Sequence, residues 1–296
     1  MKTNKDTLPV KSIIGEVRPI GLMEFGMMVM DPFGQGHYRV GTGGITYNFR
    51  LGDNCMNVTG EKIQPGVSTR CAGVSGPESG PGASPESMAY NIYCCLGNEV
   101  TIAGGPLAGQ KGYVTGKVSG FGVTVDFDRD ILKQMHGDER FYIKTCGVGL
   151  QLTDAQEDLA IHNLSPQLFE KLGISENGDR YTVPVAKIIP GYLVGPGIGG
   201  SVIASCAEIM TDHGDCDKQF GLSSLRFGDI VAVTDLDTTS GRTVLEGAVT
   251  IGVIVTSDSI ALGDGPGLLT ILSSKSGILN PVLSDDANLK NYLGIK

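Results

Sequence analysis

The chain has 296 residues, a formal net charge of −9 and no run of basic residues. Nucleic acids and anionic membranes attract clustered lysine and arginine, so this charge argues against a nucleic-acid partner and against a membrane partner. The seven cysteines form no Cys-x-x-Cys pair and no signal peptide precedes them, which predicts reduced thiols in a cytoplasmic protein.

Glycine is unusually frequent in this chain. There are 44 glycines, roughly twice the usual share of about 7 %. Many of them form short clusters with apolar neighbours, at 41–48, 195–200 and 263–267. Glycine reaches positive φ and lets another backbone or a ligand approach closely. The clusters therefore predict tight, buried turns between strands, where a site can be built.

Residues 1–98 are predicted to form a β-rich region that contains one helix. Short apolar runs at 10–17 and 22–30 are typical of strands. Ser84 and Pro85 follow a loop rich in glycine, proline and serine. A serine N-cap with proline at the first helical position indicates that a helix begins there.

Four short strand patterns joined by glycine turns lie within residues 99–150. Such a succession predicts a small antiparallel barrel. The stretch 104–117 (GGPLAGQKGYVTGK) resembles the turn and strand of SH3-like barrels of the KOW class, which often bind RNA. Its basic residues are only Lys111 and Lys117, so we expect the barrel shape without RNA binding.

Residues 151–296 are predicted to form a second β-rich region that shares a core with residues 1–98. A helical segment is expected over 153–173, with Ser165 as an N-cap. The β-branched run 249–256 is apolar on both faces, which predicts a central strand. The expected fold class is β-rich α+β, with mixed and antiparallel sheets, an inserted SH3-like barrel and a few short helices.

Three segments carry a family resemblance. They are residues 41–53 (GTGGITYNFRLGD), 95–99 (CLGNE) and 226–267, in which RFGDIVAV is followed by GR, GAVTIGVIVTSDS and GPG. Together they resemble an uncharacterised prokaryotic family, domain-of-unknown-function family 4438. The resemblance covers most of the chain in the right order. It implies a stand-alone, β-rich prokaryotic protein and no particular activity.

A glycine loop is the first candidate binding element. The sequence GPGIGG has the Gly-x-Gly-x-x-Gly spacing at Gly195, Gly197 and Gly200. Dinucleotide-binding turns use this spacing, but no alternation of strands and helices surrounds it here. We therefore expect a glycine loop packed against another backbone, which lines a ligand pocket together with Asp264.

The second candidate is a group of acidic residues with one histidine. His213, Asp215 and Asp217 alternate, so an extended backbone would point them to one side. One imidazole with carboxylates suits Mg²⁺, Mn²⁺ or Zn²⁺, and the same residues also suit a polar surface turn. Asp235, at the end of a strand, is expected to join them as a metal ligand, and Asp258, which follows another strand, is expected nearby. Asp258 is the candidate catalytic base, because burial beside other carboxylates raises a pKa.

Two functions fit these features. The first is a small-molecule enzyme with a carboxylate-lined site that a divalent cation assists. The second is a non-catalytic, homo-oligomeric protein that binds a small ligand or has a structural role. In that case the uncharged segment 188–207 contacts a neighbouring copy. A homo-oligomer is expected under either interpretation, and the sequence does not decide between them.

Overall fold

The computed structural model describes the chain apart from residues 20–27, 31–33, 39–42, 77–81, 119–121, 155–158, 196–201, 204, 212–214 and 260–264, and it describes only the backbone of 28–30 and 36–38. Strands make up 41 % of the structure, and the helices within its described part are five and short. The β-rich α+β class expected from the sequence is confirmed.

Nine strands and two helices are described in the first half of the chain. The strands are β1 Lys11–Val17, β2 Met28–Met30, β3 Gly36–Tyr38, β4 Ile45–Thr46, β5 Gly66–Cys71, β6 Glu99–Ile102, β7 Lys111–Val118, β8 Gly122–Asp126 and β9 Arg140–Thr145. The helices are α1 Pro85–Tyr93 and α2 Arg129–Leu132.

Ten strands and three helices are described in the second half. The strands are β10 Leu159–Ile161, β11 Ser175–Asn177, β12 Arg180–Val185, β13 Lys187–Pro190, β14 Val194–Gly195, β15 Ala207–Ile209, β16 Ile230–Asp237, β17 Thr243–Ile254, β18 Gly267–Ser274 and β19 Leu279–Leu283. The helices are α3 Pro166–Lys171, α4 Cys216–Phe220 and α5 Leu289–Leu293.

Six antiparallel strands close the first barrel, in the order β1-β9-β6-β7-β8-β5 and back to β1. The register pairs Lys11 with Thr145 on one side of β1 and Gly15 with Cys71 on the other. A barrel is therefore present, but residues 99–150 supply only four of its six strands, and β1 and β5 come from the N-terminal part. Both are needed, since β6 to β9 alone leave two open edges. The division of the chain into three regions stays a prediction.

The core of this barrel follows the two-residue period of its strands. On β9, Phe141 and Ile143 are fully buried, whereas Tyr142 between them is exposed. The rings of Phe127 and Phe141 pack with centroids 5.8 Å apart. An aromatic pair at that distance adds about 1 kcal/mol to the burial of its area.

The second barrel is nearly closed. Its strands are ordered β13-β16-β17-β18-β15-β14, and β10 pairs with β18 outside that path. β17 lies in the middle and is buried from Ala248 to Ile254, as the apolar run predicted. The prediction of a helix over residues 153–173 is wrong for the first part of that range. Leu159–Ile161 is a strand, because its backbone pairs with β18, and the helix occupies only Pro166–Lys171.

Both predicted serine caps are confirmed. The Ser84 Oγ accepts the Ser87 N–H at 3.1 Å, and the Ser165 Oγ accepts the Leu168 N–H at 3.1 Å. Each bond satisfies a donor that a helix start leaves unpaired, and a proline follows each cap.

Of the helices that the structure describes, none has the length and apolar character needed to cross a membrane.

The two barrels pack tightly against each other. A Cβ on Gly116 of β7 would lie 3.1 Å from the Cβ of Val255, which follows β17. Next to it, Lys117 is fully buried and donates to the Asn163 Oδ1 at 2.9 Å and to the Ile92 carbonyl at 3.2 Å. Burial lowers the pKa of this lysine. The contact between the barrels therefore holds polar groups as well as apolar ones.

Candidate functional site

The candidate site lies where a loop of the N-terminal part meets the residues that follow β17. The Asp258 N–H donates to the Cys55 carbonyl at 3.1 Å, and the Ser257 N–H donates to the Ile63 carbonyl at 3.0 Å. In return, the Lys62 N–H donates to the Asp258 carbonyl at 3.2 Å. These backbone bonds fix the loop against the second barrel before any side chain is considered.

We call this region the junction site. Its members carry charge or a nucleophilic atom and lie at or beside the contact between the two barrels. They are Glu61, Lys62, Cys206, Glu208, Arg242, Asp258 and Ser259.

Asp258 has one satisfied and one unsatisfied carboxylate oxygen. Its Oδ2 accepts the Asn57 N–H at 2.7 Å. Its Oδ1 is buried and has no hydrogen-bond partner among the described residues. The residue is only 6 % exposed, and burial raises the pKa of its carboxyl, against the opposing pull of nearby N–H groups and of the Lys62 charge. A carboxyl in these surroundings holds a proton more readily than an exposed one.

Lys62 is buried and its backbone is strained. Its φ is 55°, in the left-handed region that glycine favours, and Asn57 in the same loop has the same φ. Asparagine tolerates this conformation, whereas lysine rarely adopts it. The Lys62 ammonium donates to the Glu208 carboxylate and to the Gly265 carbonyl. Strain of this kind persists where surrounding contacts hold it, and such residues concentrate at functional sites.

Glu208 reaches the site from the middle of a short strand. On β15 it pairs with Gly195 of β14 on one side and with Gly267 of β18 on the other. Its side chain is 25 % exposed, against 5 % for its partner Lys62. Glu208 therefore marks the side of the junction site that opens to solvent.

Two glycines are needed for the site to close. A Cβ on Gly265 would lie 1.5 Å from the Ile209 carbonyl oxygen, which no relaxation of a side chain can relieve. A Cβ on Gly267 would lie 2.8 Å from the Thr256 Oγ1 and 3.0 Å from the Cys206 Sγ. The Gly267 N–H instead donates to that Thr256 hydroxyl at 2.9 Å. Within the described part of this glycine cluster, Gly265 and Gly267 thus permit close backbone approach.

The remaining members surround this centre. The Arg242 Nη2 donates to the Cys206 carbonyl at 3.0 Å, and burial lowers the pKa of that guanidinium. The Cys206 Sγ lies 3.9 Å from the Glu208 Oε1. Glu61 accepts a hydrogen bond from the Ser259 hydroxyl. Carboxylates and cations therefore alternate through the site, each with at least one fixed partner.

This arrangement combines a buried acid with a fixed positive charge. The free Oδ1 of Asp258 offers a position for a proton in transfer, and a carboxyl with a raised pKa exchanges protons nearer to neutral pH. The Lys62 ammonium is held by Glu208 and Gly265, so it stays in place without reorganisation. Preorganised charge of this kind stabilises a developing negative charge on a reacting oxygen.

The structure places the predicted site residues at several locations. Asp258 and Gly195 belong to or border the junction site, while Gly197, Gly200, His213 and Asp264 lie outside the described residues. The Asp215 carboxylate, just before α4, is 80 % exposed and pairs with Lys218 at 2.8 Å, and Asp217 of α4 accepts the Ser223 N–H at 2.5 Å. No group of three histidine, cysteine or acidic residues able to hold a metal occurs within the described part of the chain.

Asp235 and Asp258 make separate contacts. Asp235 sits in a bulge of β16 with a φ of 59°, and its carboxylate accepts the Gly247 N–H at 2.8 Å. The Asp258 carboxylate accepts the Asn57 N–H at 2.7 Å. A pocket shared by both aspartates, and cation binding by His213, Asp215, Asp217 and Asp235, stay predictions.

Sequence reasoning missed Glu61, Lys62, Glu208 and Arg242. One signal for Glu208 was available, because it is a lone carboxylate between the apolar residues Ala207 and Ile209. A charge inside such a short apolar strand requires a partner or a ligand. Lys62 carries no comparable signal, because its left-handed backbone shows only in the folded chain.

The comparisons with known proteins assign a family. A family model described as domain of unknown function (DUF4438), N-terminal, matches residues 29–170, and one described as DUF4438, C-terminal, matches residues 171–293. The chain belongs to the DUF4438 family. The resemblance seen in the sequence is confirmed. The two matched ranges meet at 170/171, so the junction site takes Lys62 from the first and Asp258 from the second.

A solved structure has a similar fold. The crystal structure of TM1086 superimposes with a TM-score of 0.86, is 33 % identical in sequence and covers 99 % of each chain. No curated protein is detectably similar to this chain. Neither the DUF4438 descriptions nor the name of that structure states an activity.

Proposed function

We propose that the chain is an enzyme that transfers protons on a small polar molecule at the junction site. The observation that carries this proposal is the buried Oδ1 of Asp258, which has no partner among the described residues and lies in the same loop contact as the buried Lys62 ammonium. A protein that needed these groups only for stability would gain by pairing that oxygen.

Asp258 is the proposed acid–base group. Burial raises the pKa of its carboxyl, and the Asn57 N–H fixes the other oxygen, so the free oxygen has a defined direction. A positioned carboxyl of this kind typically contributes 10² to 10⁴-fold to a proton transfer. The group takes a proton from the substrate and returns it to the product.

Lys62 and Arg242 supply the charge that selects the substrate. Both are less than one-tenth exposed, and both lie beside Glu208 or Cys206 at the open side. A small molecule with a carbonyl or carboxylate oxygen would place it against these cations, and Lys62 would stabilise the negative charge that builds up when a neighbouring C–H loses its proton. The proposed substrate class is therefore a small carbonyl compound or carboxylic acid.

The cytoplasm is the proposed compartment. All seven cysteines are free thiols, and five of them are buried. Thiols persist in this form in a reducing compartment.

A divalent cation, if the protein uses one, would enter near Glu208, the carboxylate that reaches solvent. It would have to share that carboxylate with Lys62.

Solvent-isotope exchange tests the proposal without a known substrate. The protein is incubated in D₂O with a mixture of small carbonyl compounds and carboxylic acids, and mass spectrometry records which compounds gain a carbon-bound deuterium. We expect the wild-type protein to label at least one compound. Asp258→Asn should reduce the labelling rate at least about 100-fold, because an amide cannot exchange the proton.

The matched control is Asp130→Asn, which makes the same chemical change at a 92 % exposed carboxylate on α2. It should label at the wild-type rate. Equal labelling by Asp258→Asn and Asp130→Asn would contradict the proposed role of Asp258. A compound that raises the melting temperature without gaining deuterium would instead identify a binding protein and overturn the proposed reaction.

A further inference from the structure

A small cavity that shares no lining residue with the junction site has an unusual charge. It has a volume of about 240 Å³, and its lining contains four cationic side chains, one carboxylate and two apolar side chains. The charged ones are Arg50, Asp53, Arg129, Lys290 and Lys296. The whole chain carries 32 acidic and 23 basic residues, so a mostly cationic cavity runs against the overall charge.

Arg50 is the buried cationic residue of this cavity. Its side chain is 8 % exposed. The Nη2 donates to the Phe127 carbonyl at 2.7 Å and to both oxygens of the Asp126 carboxylate at 3.3 Å. The Nε is buried and has no hydrogen-bond partner among the described residues. One edge of a buried, permanently charged guanidinium therefore keeps a donor unused, which costs stability unless a ligand accepts from it.

Two more cationic side chains of the cavity lining have no acidic partner among the described residues. Within the described part of the chain, neither Arg129 nor Lys290 makes a side-chain hydrogen bond or an ion pair, and both are exposed. The Lys290 stem lies against Gly52, where a Cβ would be 3.0 Å from the Lys290 Cδ. Gly52 has a φ of 89°, so the turn requires glycine and at the same time leaves room for this lysine.

The one carboxylate of the lining is already used. The Asp53 Oδ2 accepts the Arg50 N–H at 2.9 Å, which closes the turn that contains Gly52. It therefore holds the backbone of the cavity wall, and the other charged side chains of the lining are all cationic. Like charges gathered in this way repel one another, and an anion between them removes that cost.

We propose that this cavity binds the phosphate group of a small phosphorylated molecule. A phosphate oxygen accepts from the free Nε of Arg50, and Arg129 and Lys290 neutralise the remaining charge from the solvent side. Guanidinium groups match the geometry of phosphate oxygens, and hydrogen bonds between charged groups are the strong ones. The volume fits a phosphate or a compact phosphate monoester. This inference is independent of the proposed reaction at the junction site.

Calorimetric titration and thermal unfolding test the proposal on the full chain. Inorganic phosphate and glycerol 3-phosphate are added at constant ionic strength, with sodium chloride as the reference. We expect saturable binding and a melting temperature that rises with phosphate concentration and does not rise with chloride. Tighter binding of glycerol 3-phosphate identifies a monoester site, and equal binding identifies a site for the free anion. No saturable binding of either compound overturns the proposal.

Three variants and one control locate the site. Arg129→Gln and Lys290→Gln remove exposed charges and should each weaken phosphate binding about ten-fold. Arg50→Lys keeps the charge but lacks the Nε donor, and it should weaken binding by at least as much. Lys218→Gln makes the same charge change at an 83 % exposed side chain of α4 and should bind like the wild-type protein. Equal binding by Arg129→Gln and Lys218→Gln would show that any phosphate binds elsewhere.

Discussion

The Lys62 ammonium donates to the carboxylate of Glu208, a residue 146 positions further along the chain. This pair joins a loop of the N-terminal part to β15 of the second barrel, at the point where the two barrels meet. It is buried on the lysine side and partly open on the glutamate side. The pair therefore joins the two barrels and also supplies charged groups to the candidate site.

Replacing Lys62 by methionine should destabilise the protein by about 3 kcal/mol, because breaking a buried pair leaves one charge without compensation. We expect the lower end of the usual range, since Glu208 can turn toward solvent. Urea unfolding measures the change. The control is Lys111→Met, which breaks an exposed pair with Glu99 and should cost at most about 1 kcal/mol. Equal costs would show that the Lys62 pair contributes no more than a surface pair.

Gly265→Ala should destabilise the protein by at least about 3 kcal/mol, because the added Cβ would collide with the Ile209 carbonyl and the backbone must move. The same movement displaces the carbonyl that holds Lys62. The control is Gly104→Ala, where a Cβ would meet no atom within 4 Å. Its melting temperature should equal that of the wild-type protein. A Gly265→Ala variant as stable as Gly104→Ala would contradict the geometry of the glycine cluster.

Asp126 should make the stability depend on pH. Burial raises the pKa of its carboxyl to about 6, despite the neighbouring Arg50. The unfolded chain has the lower, ordinary value, so the folded state binds the extra proton between about pH 4 and pH 6. The contribution of this carboxyl is therefore most favourable at low pH and decreases as the pH rises through that interval, by up to about 3 kcal/mol.

Asp126→Asn tests that dependence. The amide is uncharged at every pH, as the wild-type carboxyl is at low pH, and it has no proton to lose at this position. We expect the free energy of unfolding of the wild type, relative to that of the variant, to decrease as the pH rises from 4 to 7. Parallel curves across that interval would mean that Asp126 titrates with an ordinary pKa.

The chain is predicted to be a homo-oligomer. Three large apolar side chains, Tyr192, Ile203 and Met210, are 59 %, 46 % and 44 % exposed, and the first two lie in the uncharged segment 188–207. Burying them against a second copy would remove apolar surface from water. Light scattering at micromolar concentration should give a mass above that of one chain, and Tyr192→Asp should lower it. A monomer under those conditions contradicts the prediction.

Local signals predicted the local structure well. Ser84 and Ser165 cap helices as expected, and the apolar run 249–256 falls on the central strand β17. These features depend on neighbouring residues, so a short stretch of sequence contains all the information they need. The choice of Asp258 as a site residue also relied on such a local signal, its place shortly after that strand, and its catalytic role stays a prediction.

The pairing of strands that are distant in sequence could not be predicted from the sequence. Alternating residues show that 11–17 forms a strand but do not show that it pairs with 140–145 and 69–71 to close a barrel. The partnership of Lys62 and Glu208 depends on that pairing in turn. The expected cluster of Asp235 with Asp258 stays a prediction, because the sequence alone does not reveal which strand end each residue occupies in space.

The division of the junction site between residues 29–170 and 171–293 has an evolutionary consequence. Lys62 comes from the first range, and Glu208, Gly265 and Asp258 come from the second. A substitution on one side changes the charge balance that the other side must match. We therefore expect the two halves to be inherited together. A chimera that exchanges one half between distant members should retain two barrels and lose the fit between them.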